Sequence, residues 1–320
     1  MVNWYQPQLQ AGVKLRPTDV MVCVPAKSGT TWSMNIVYQL FKRGDPDFKD
    51  IYAEIPWPEF KEGPNQTDQE LLDRWEAMPN PRAFKTHSHP NTCPGGFVEF
   101  REDVKYLVVF RNPEEAIVSF RPFIIAHNDK LWDHWDCPEM KEKMCKDTFQ
   151  EFWDDLVLKG FPNMPPEIVP PGGLMTMFFW GFINGWWPLR NKKNVLMLHF
   201  NDMKSDHEGS VRKIADFLEI EPSAEEWEKI LEYTSFKWMK EHQSKFEVHT
   251  LLPFPLLNEG GMVRRGASGK ARDDGMTPAI AQQIKEMVEK FVEDPEAREW
   301  LYKGDGATTK TKSKKGCAIC

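Results

Sequence analysis

The chain has 320 residues, 41% hydrophobic and 28% charged, with 13 Trp and 21 Phe. That is a globular composition with an aromatic-rich interior, long enough for one large α/β domain or two modest ones. A formal net charge of −7 argues against wrapping nucleic acid, so any contact with a polyanion should be local. No apolar run approaches the ~20 residues of a membrane span, and no basic region followed by an apolar core opens the chain, so a cytoplasmic protein is expected.

Residues 19–24 are a β-like run, followed by Pro25-Ala26-Lys27-Ser28-Gly29-Thr30-Thr31-Trp32 and a helix-like run over 33–40. A strand, a small-residue turn and a helix N-terminus form an anion site, because the first helical N–H groups lack partners and the dipole favours negative charge. Gly29 lets the backbone approach an oxyanion, Ser28, Thr30 and Thr31 add hydroxyls, Lys27 adds a charge, and Trp32 offers a face for a nucleobase. The order is not G-x-x-x-x-G-K-[ST]: here the lysine precedes the glycine, which argues against an ordinary NTPase or kinase. A purely structural strand–helix turn is the plainer alternative.

Further along, amphipathic helices are expected near 67–77, 147–158 and 174–190, then over 208–219, 223–232 and 278–292. Residues near 82–84, 105–110 and 194–200 read as strands, the last two as continuous apolar runs suited to burial on both faces. Pro113 suits the first position of a helix through residue 120. Residues 241–276 lack periodicity and read as a long mobile loop. The alternation predicts a single α/β domain, a mostly parallel sheet flanked by helices, over residues 1–303. Ligands of such sheets bind at the carboxyl ends of the strands, so Lys27 to Trp32, Lys85-Thr86-His87, Arg111 and Phe200-Asn201-Asp202 should converge. Cys23, Cys93, Cys137 and Cys145 have neither C-x-x-C spacing nor partner histidines at zinc-finger distances, so they read as reduced thiols, and no metal site is expected.

Together, the 25–32 loop, Lys85-Thr86-His87, Arg111-Asn112-Pro113 with Ser119, Thr234-Ser235-Phe236 and Arg264-Arg265-Gly266 resemble the cytosolic sulfotransferases over residues 15–280. The resemblance implies a P-loop-like cradle for 3′-phosphoadenosine 5′-phosphosulfate (PAPS), with 3′-phosphoadenosine 5′-phosphate (PAP) as product. Lys27, Ser28, Gly29, Thr30 and Thr31 would hold the phosphosulfate. Arg111 and Ser119 would hold the 3′-phosphate, closed over by Met262, Arg264, Arg265 and Gly266. Trp32 and Phe236 would sandwich the adenine, with Phe200 and Thr234 beside it. Lys27 and Lys85 would stabilise charge developing on the bridging oxygen, and His87 would be the general base toward a small-molecule acceptor. His89 competes for that role, because Ser88 and His89 both precede Pro90 where the family usually has one residue between its histidine and the proline.

Phe200-Asn201-Asp202 stands where the family commonly has a tyrosine–acidic pair, and Lys270-Ala271 where it has an acidic–tryptophan pair. The family's dimer pattern is not clear around residues 272–280, so no oligomeric state is assigned. The acceptor pocket is expected from residues 51–60, 123–135 and 247–258. Their Trp57, Phe60, Phe123, Trp132, Trp135 and Phe254 favour an apolar or aromatic body, whereas Glu54, Asp129 and Asp133 leave room for a cationic one. Residues 304–320 read as a disordered basic tail. Cys317-Ala318-Ile319-Cys320 fits the C-a-a-X pattern for prenylation of Cys317, which with four nearby lysines would give peripheral membrane contact; two incidental thiols are the alternative. A phosphoryl-transfer enzyme and a non-catalytic, membrane-tethered nucleotide adaptor are the competing functions.

Overall fold

Four short apolar runs make the sheet, and their burial explains their composition. In the computed structural model, which describes residues 4–162, 164, 169–263 and 271–305, the strands are β1 (Val20–Cys23), β2 (Ala83–Thr86), β3 (Lys105–Phe110) and β4 (Val195–His199). All pair in parallel, in the order β2-β1-β3-β4. Val20 is level with both Ala83 and Lys105, and Tyr106 with Val195. Every residue of β1 and β2 is buried, which is why these strands show no polar alternation.

At the amino-terminal edge, Asp19 and Arg82 form a fully buried ion pair. Arg82 Nε and Nη2 both donate to the Asp19 carboxylate, and the guanidinium also donates to the Trp75 and Lys14 carbonyls. Every strong charge there has a partner, which a buried pair requires to avoid a large desolvation cost.

The helices cover both faces. α1 (Thr30–Phe41) follows β1, α2 (Ile51–Glu54) and α3 (Asp68–Glu76) precede β2, and α4 (Pro113–Ile125) follows β3. Thr67 and Glu70 form a capping box on α3. Asn112 Oδ1 accepts the Glu114 N–H, and Pro113 fills the first turn of α4, which runs five residues past the expected end. The helices expected at 208–219, 223–232 and 278–292 are His207–Leu218, Ala224–Tyr233 and Pro278–Phe291. Those expected at 147–158 and 174–190 widen into π-helix over Phe152–Val157 and Thr176–Trp180, a change that period alone does not announce.

Two expectations need correction. Phe200, read as the end of the fourth strand, instead opens the helix Phe200–Ser205, with Asn201 and Asp202 in its first turn. The 241–276 segment holds short 3-10 helices, Gln243–Phe246 and Ala271–Asp274, and is packed and tied down: Val248, Leu252, Leu256 and Leu257 are buried, and the Asp50 carboxylate accepts from His249 N, Thr250 N and Thr250 Oγ1. A further helix, Pro295–Lys303, was not anticipated. It packs Trp300 on Phe110, 5.7 Å between ring centroids, and brings the Leu301 carbonyl within 3.1 Å of His199 Nε2. No helix among the described residues is long and apolar enough to cross a membrane. Arg264, Arg265, Gly266 and the Cys317 tail lie outside the described residues.

Candidate active site

The carboxyl ends of β1, β2, β3 and β4 do converge, on a cavity of about 340 Å³. The loop after β1 bends because Lys27 and Gly29 both take positive φ, 63° and 102°. A Cβ on Gly29 would sit 2.7 Å from Phe200 Cδ2, so sterics as well as backbone conformation demand glycine. Gly29 caps α1 without any side-chain hydrogen bond. Ser28 Oγ and Thr30 Oγ1 are buried with no partner among the described residues, although buried hydroxyls are ordinarily bonded. Orphaned hydroxyls at an uncapped helix N-terminus fit a bound phosphosulfate.

Around this cradle, Trp32 is fixed by donating Nε1–H to the Thr234 carbonyl at 2.8 Å and by the Phe200 ring at 5.6 Å. Phe236 is half exposed on the cavity wall. Thr234 is placed otherwise than its neighbours: its side chain is buried and donates to the Ile230 carbonyl, so it meets the site only through its own carbonyl. Thr31 Oγ1 bonds Tyr52 Oη at 3.3 Å, and that hydroxyl donates to Met262 Sδ. Arg111 Nε donates to Glu115 and Nη1 to the Lys27 carbonyl, with the guanidinium 4.8 Å over Phe200. Ser119, two turns further along α4, lines the same cavity.

The second cluster lies at the end of β2. Lys85 is buried; its Nζ sits 3.3 Å over the Trp57 ring and donates to His87 Nε2 at 2.9 Å. His87 Nδ1 faces the Val24 carbonyl at 2.5 Å. A carbonyl can only accept, so Nδ1 carries the proton and Nε2 the lone pair. Burial lowers the His87 pKa well below its usual value, helped by the charges of Lys85 and Lys27 and opposed by the Val24 bond. Lys85 is likewise lowered, by burial first, with Glu59 opposing and Lys27 assisting. His87 is therefore neutral at pH 7, the state a base needs.

His89, its rival, does not reach the cavity. Its ring is buried, with Nε2 on the Pro94 carbonyl at 3.1 Å, against Gly181 and Gly185. At these two glycines a Cβ would come within 3.1 Å of the ring.

Sequence reasoning missed Glu59. It is fully buried and accepts from Thr86 Oγ1, Trp57 Nε1 and the His87 N–H. Burial raises its pKa, and those bonds and the Lys85 charge oppose the rise. An acid in the run Trp57-Pro58-Glu59-Phe60 was visible, but no spacing rule ties it to Thr86 and His87, 27 and 28 positions away. Lys204 also lines the cavity unforeseen, and Tyr52 lines it from within the expected 51–60 segment.

The acceptor side is aromatic, as expected, but its members differ. Trp57, Phe60 and Phe123 line it, joined by Tyr5, Phe120 and Phe178. Trp132, Trp135 and Phe254 are buried behind the wall. Glu54, Asp129 and Asp133 are not among its lining residues; Glu115 and Asp274 are the carboxylates that line it, and Glu115 bonds Arg111.

An anion cradle beside a buried lysine–histidine pair, both opening on an apolar cavity at the edge of a parallel sheet, defines an enzyme that transfers an activated group from a nucleotide. Residues 17–302 match the family described as sulfotransferase domain. Human sulfotransferase 1E1 is 29% identical over 293 residues, spanning 86% of this chain and 87% of that protein. Mouse sulfotransferase 1 family member D1 is 28% identical, spanning 91% and 88%. The fold is similar to that of mouse sulfotransferase SULT7A1 complexed with PAP, with a TM-score of 0.63 at 21% identity over 94% of each chain. It is also similar to retinol dehydratase in a complex with retinol and PAP, at 0.59 and 20% over 91% of this chain and 87% of that one. The chain belongs to the cytosolic sulfotransferase family and is a PAPS-dependent sulfotransferase.

Proposed function

We propose that the acceptor is a small molecule with an apolar or aromatic body and a hydroxyl, and that His87 is the base that takes the hydroxyl proton. The observation that carries this reading is the His87 tautomer. Its Nδ1–H is held by the Val24 carbonyl, which leaves Nε2, at the cavity wall, to receive a proton. Lys85, bonded to the same nitrogen, is placed to hand that bond over to an acceptor oxygen. Bound PAPS supplies a sulfuryl group whose bond to the 5′-phosphate oxygen breaks as the acceptor oxygen bonds to sulfur.

The protein's part is positioning and charge. Lys27, with Ser28, Gly29, Thr30 and Thr31, would hold the phosphosulfate end, and Lys27 and Lys85 would supply positive charge to the oxygen on which charge develops. Arg111 and Ser119 hold the 3′-phosphate. Glu115 keeps the guanidinium plane fixed, which suits bidentate contact. Trp32 and Phe236 take the adenine, with Phe200 buttressing Trp32. The aromatic lining excludes water and favours an apolar acceptor. Retinol, held by retinol dehydratase, is one molecule of that description.

The test is transfer from radiolabelled donor to a panel of phenols, sterols, aliphatic alcohols and amines. His87→Ala should lose at least about a hundredfold in kcat, and the acid limb of the wild-type rate should lie below the ordinary histidine range. A variant as fast as wild type would remove His87 from its role. Preferred turnover of amines would remove the hydroxyl assignment.

A further inference from the structure

One polar side chain of the acceptor cavity has no task in the transfer chemistry. His127 lines the cavity at the carboxyl end of α4, 7% exposed. Its Nδ1 lies 3.0 Å from the Ile124 carbonyl. That carbonyl can only accept, so Nδ1 is the protonated nitrogen and Nε2 is a lone-pair acceptor. The Phe123 carbonyl is a second backbone acceptor for the ring N–H, and no side chain among the described residues bonds Nε2. The ring cannot readily turn to find one. It meets Phe123 edge-on at 4.9 Å and Trp132 at 6.0 Å. Its backbone is clamped to the 256–258 segment, since Asn128 N donates to the Leu256 carbonyl and Asn258 N to the Ala126 carbonyl. Burial lowers its pKa to about 4, so the ring stays neutral and Nε2 remains an acceptor across the physiological range.

A phenylalanine would match the apolar wall around it, whereas the imidazole adds an acceptor nitrogen to that wall. The position relative to the chemistry is also defined. Lys27 Nζ lies 4.0 Å over the Phe123 ring, and the same ring meets His127 edge-on at 4.9 Å. His127 thus stands one aromatic ring away from the group-transfer end of the cavity.

We propose that His127 is a specificity-determining residue: its Nε2 accepts a hydrogen bond from a second donor group, an O–H or N–H, on the acceptor molecule. The preferred acceptor is then a bifunctional aromatic, with one hydroxyl at His87 and another donor at His127. This inference rests on the apolar, hydroxyl-bearing acceptor class proposed above and narrows it.

The experiment compares kcat/KM for a naphthalenediol, its monomethyl ether and naphthol, with wild type, His127→Phe and His127→Gln. Wild type should favour the diol over both others by about tenfold, the worth of one hydrogen bond. His127→Phe should lose that preference, and its binding of PAP, read by calorimetry, shows that it folds. His127→Gln, which keeps an acceptor oxygen, should retain most of the preference. A diol preference in wild type of no more than the statistical factor of about two from its two hydroxyls, or one that survives His127→Phe, sinks the assignment and leaves the acceptor class intact. Should His127→Phe turn over nothing, loss of the diol preference in His127→Gln would count against the assignment and its retention for it. If wild type binds PAP yet sulfates none of the three, the acceptor class itself fails and takes this inference with it.

Discussion

Gly29 shows how narrow the tolerance of the donor cradle is. With φ at 102° and a prospective Cβ 2.7 Å from Phe200, Gly29→Ala strains the loop and displaces the ring that buttresses Trp32. PAP affinity measured by calorimetry should fall by tenfold or more. Glu59 acts differently, through the neighbours it holds. Glu59→Gln removes the negative charge beside Lys85 and puts an amide nitrogen in place of one of the oxygens that accept from Thr86 Oγ1, Trp57 Nε1 and the His87 N–H. The Lys85 pKa should drop further, so kcat should fall about tenfold and its alkaline limb move to lower pH, with PAP affinity unchanged. An unmoved pH profile would mean that Glu59 serves the fold alone. Neither effect was legible in advance in the same degree. Gly29 sits in a motif whose residues are consecutive, whereas Glu59 reaches Thr86 and His87 only because β2 runs beside the segment that carries Trp57.

At the scale of elements, the sheet edge opposite the site is fastened by Asp19 and Arg82. Asp19→Ala leaves a fully buried guanidinium with its principal counter-charge gone, and the urea midpoint should fall by the equivalent of about 3–5 kcal/mol. A change under about 1 kcal/mol would show that Glu76 and the carbonyls around Arg82 suffice. The long periodic helices and the apolar strands were readable because their burial patterns are local and repeat with the element's own period. The π-helical stretches Phe152–Val157 and Thr176–Trp180 were read as plain helix, since an extra residue per turn barely alters an apolar pattern. Pro295–Lys303 was missed although Asp294 caps it and Pro295 opens it. Those start signals are legible, but the helix is only nine residues long, too short for its period to stand out. The 241–276 segment looked mobile because it lacks periodicity. Asp50 and the apolar wall hold it through contacts some 200 residues apart in sequence, as with Asp50 and Thr250.

For the whole molecule, buried histidines set the response to acid. His127 titrates near 4 in the folded chain and near 6.5 unfolded. Between those values the unfolded state binds a proton that the folded state refuses. Stability is therefore fully present above about pH 6.5 and falls by about 3 kcal/mol as pH drops to 4. His87, His89, His199 and His207 are also lowered, each mainly by burial, and add in the same direction. Urea midpoints at pH 7 and pH 5 should differ accordingly, and His127→Phe should flatten the difference. A midpoint that rises on acidification would contradict the burial of these rings. The sequence by itself determined the parallel α/β class, the anion cradle, the family and the convergence of four strand ends, because consecutive residues, element periods and the carboxyl-edge rule are all local information. Only the tertiary structure decided that His87 rather than His89 meets the cavity and that Thr234 contributes a carbonyl rather than a hydroxyl. It alone brought in Glu59 and His127. The reason is physical: burial and hydrogen-bond partnership arise between segments far apart in the chain, and no spacing along it encodes which side chain turns inward.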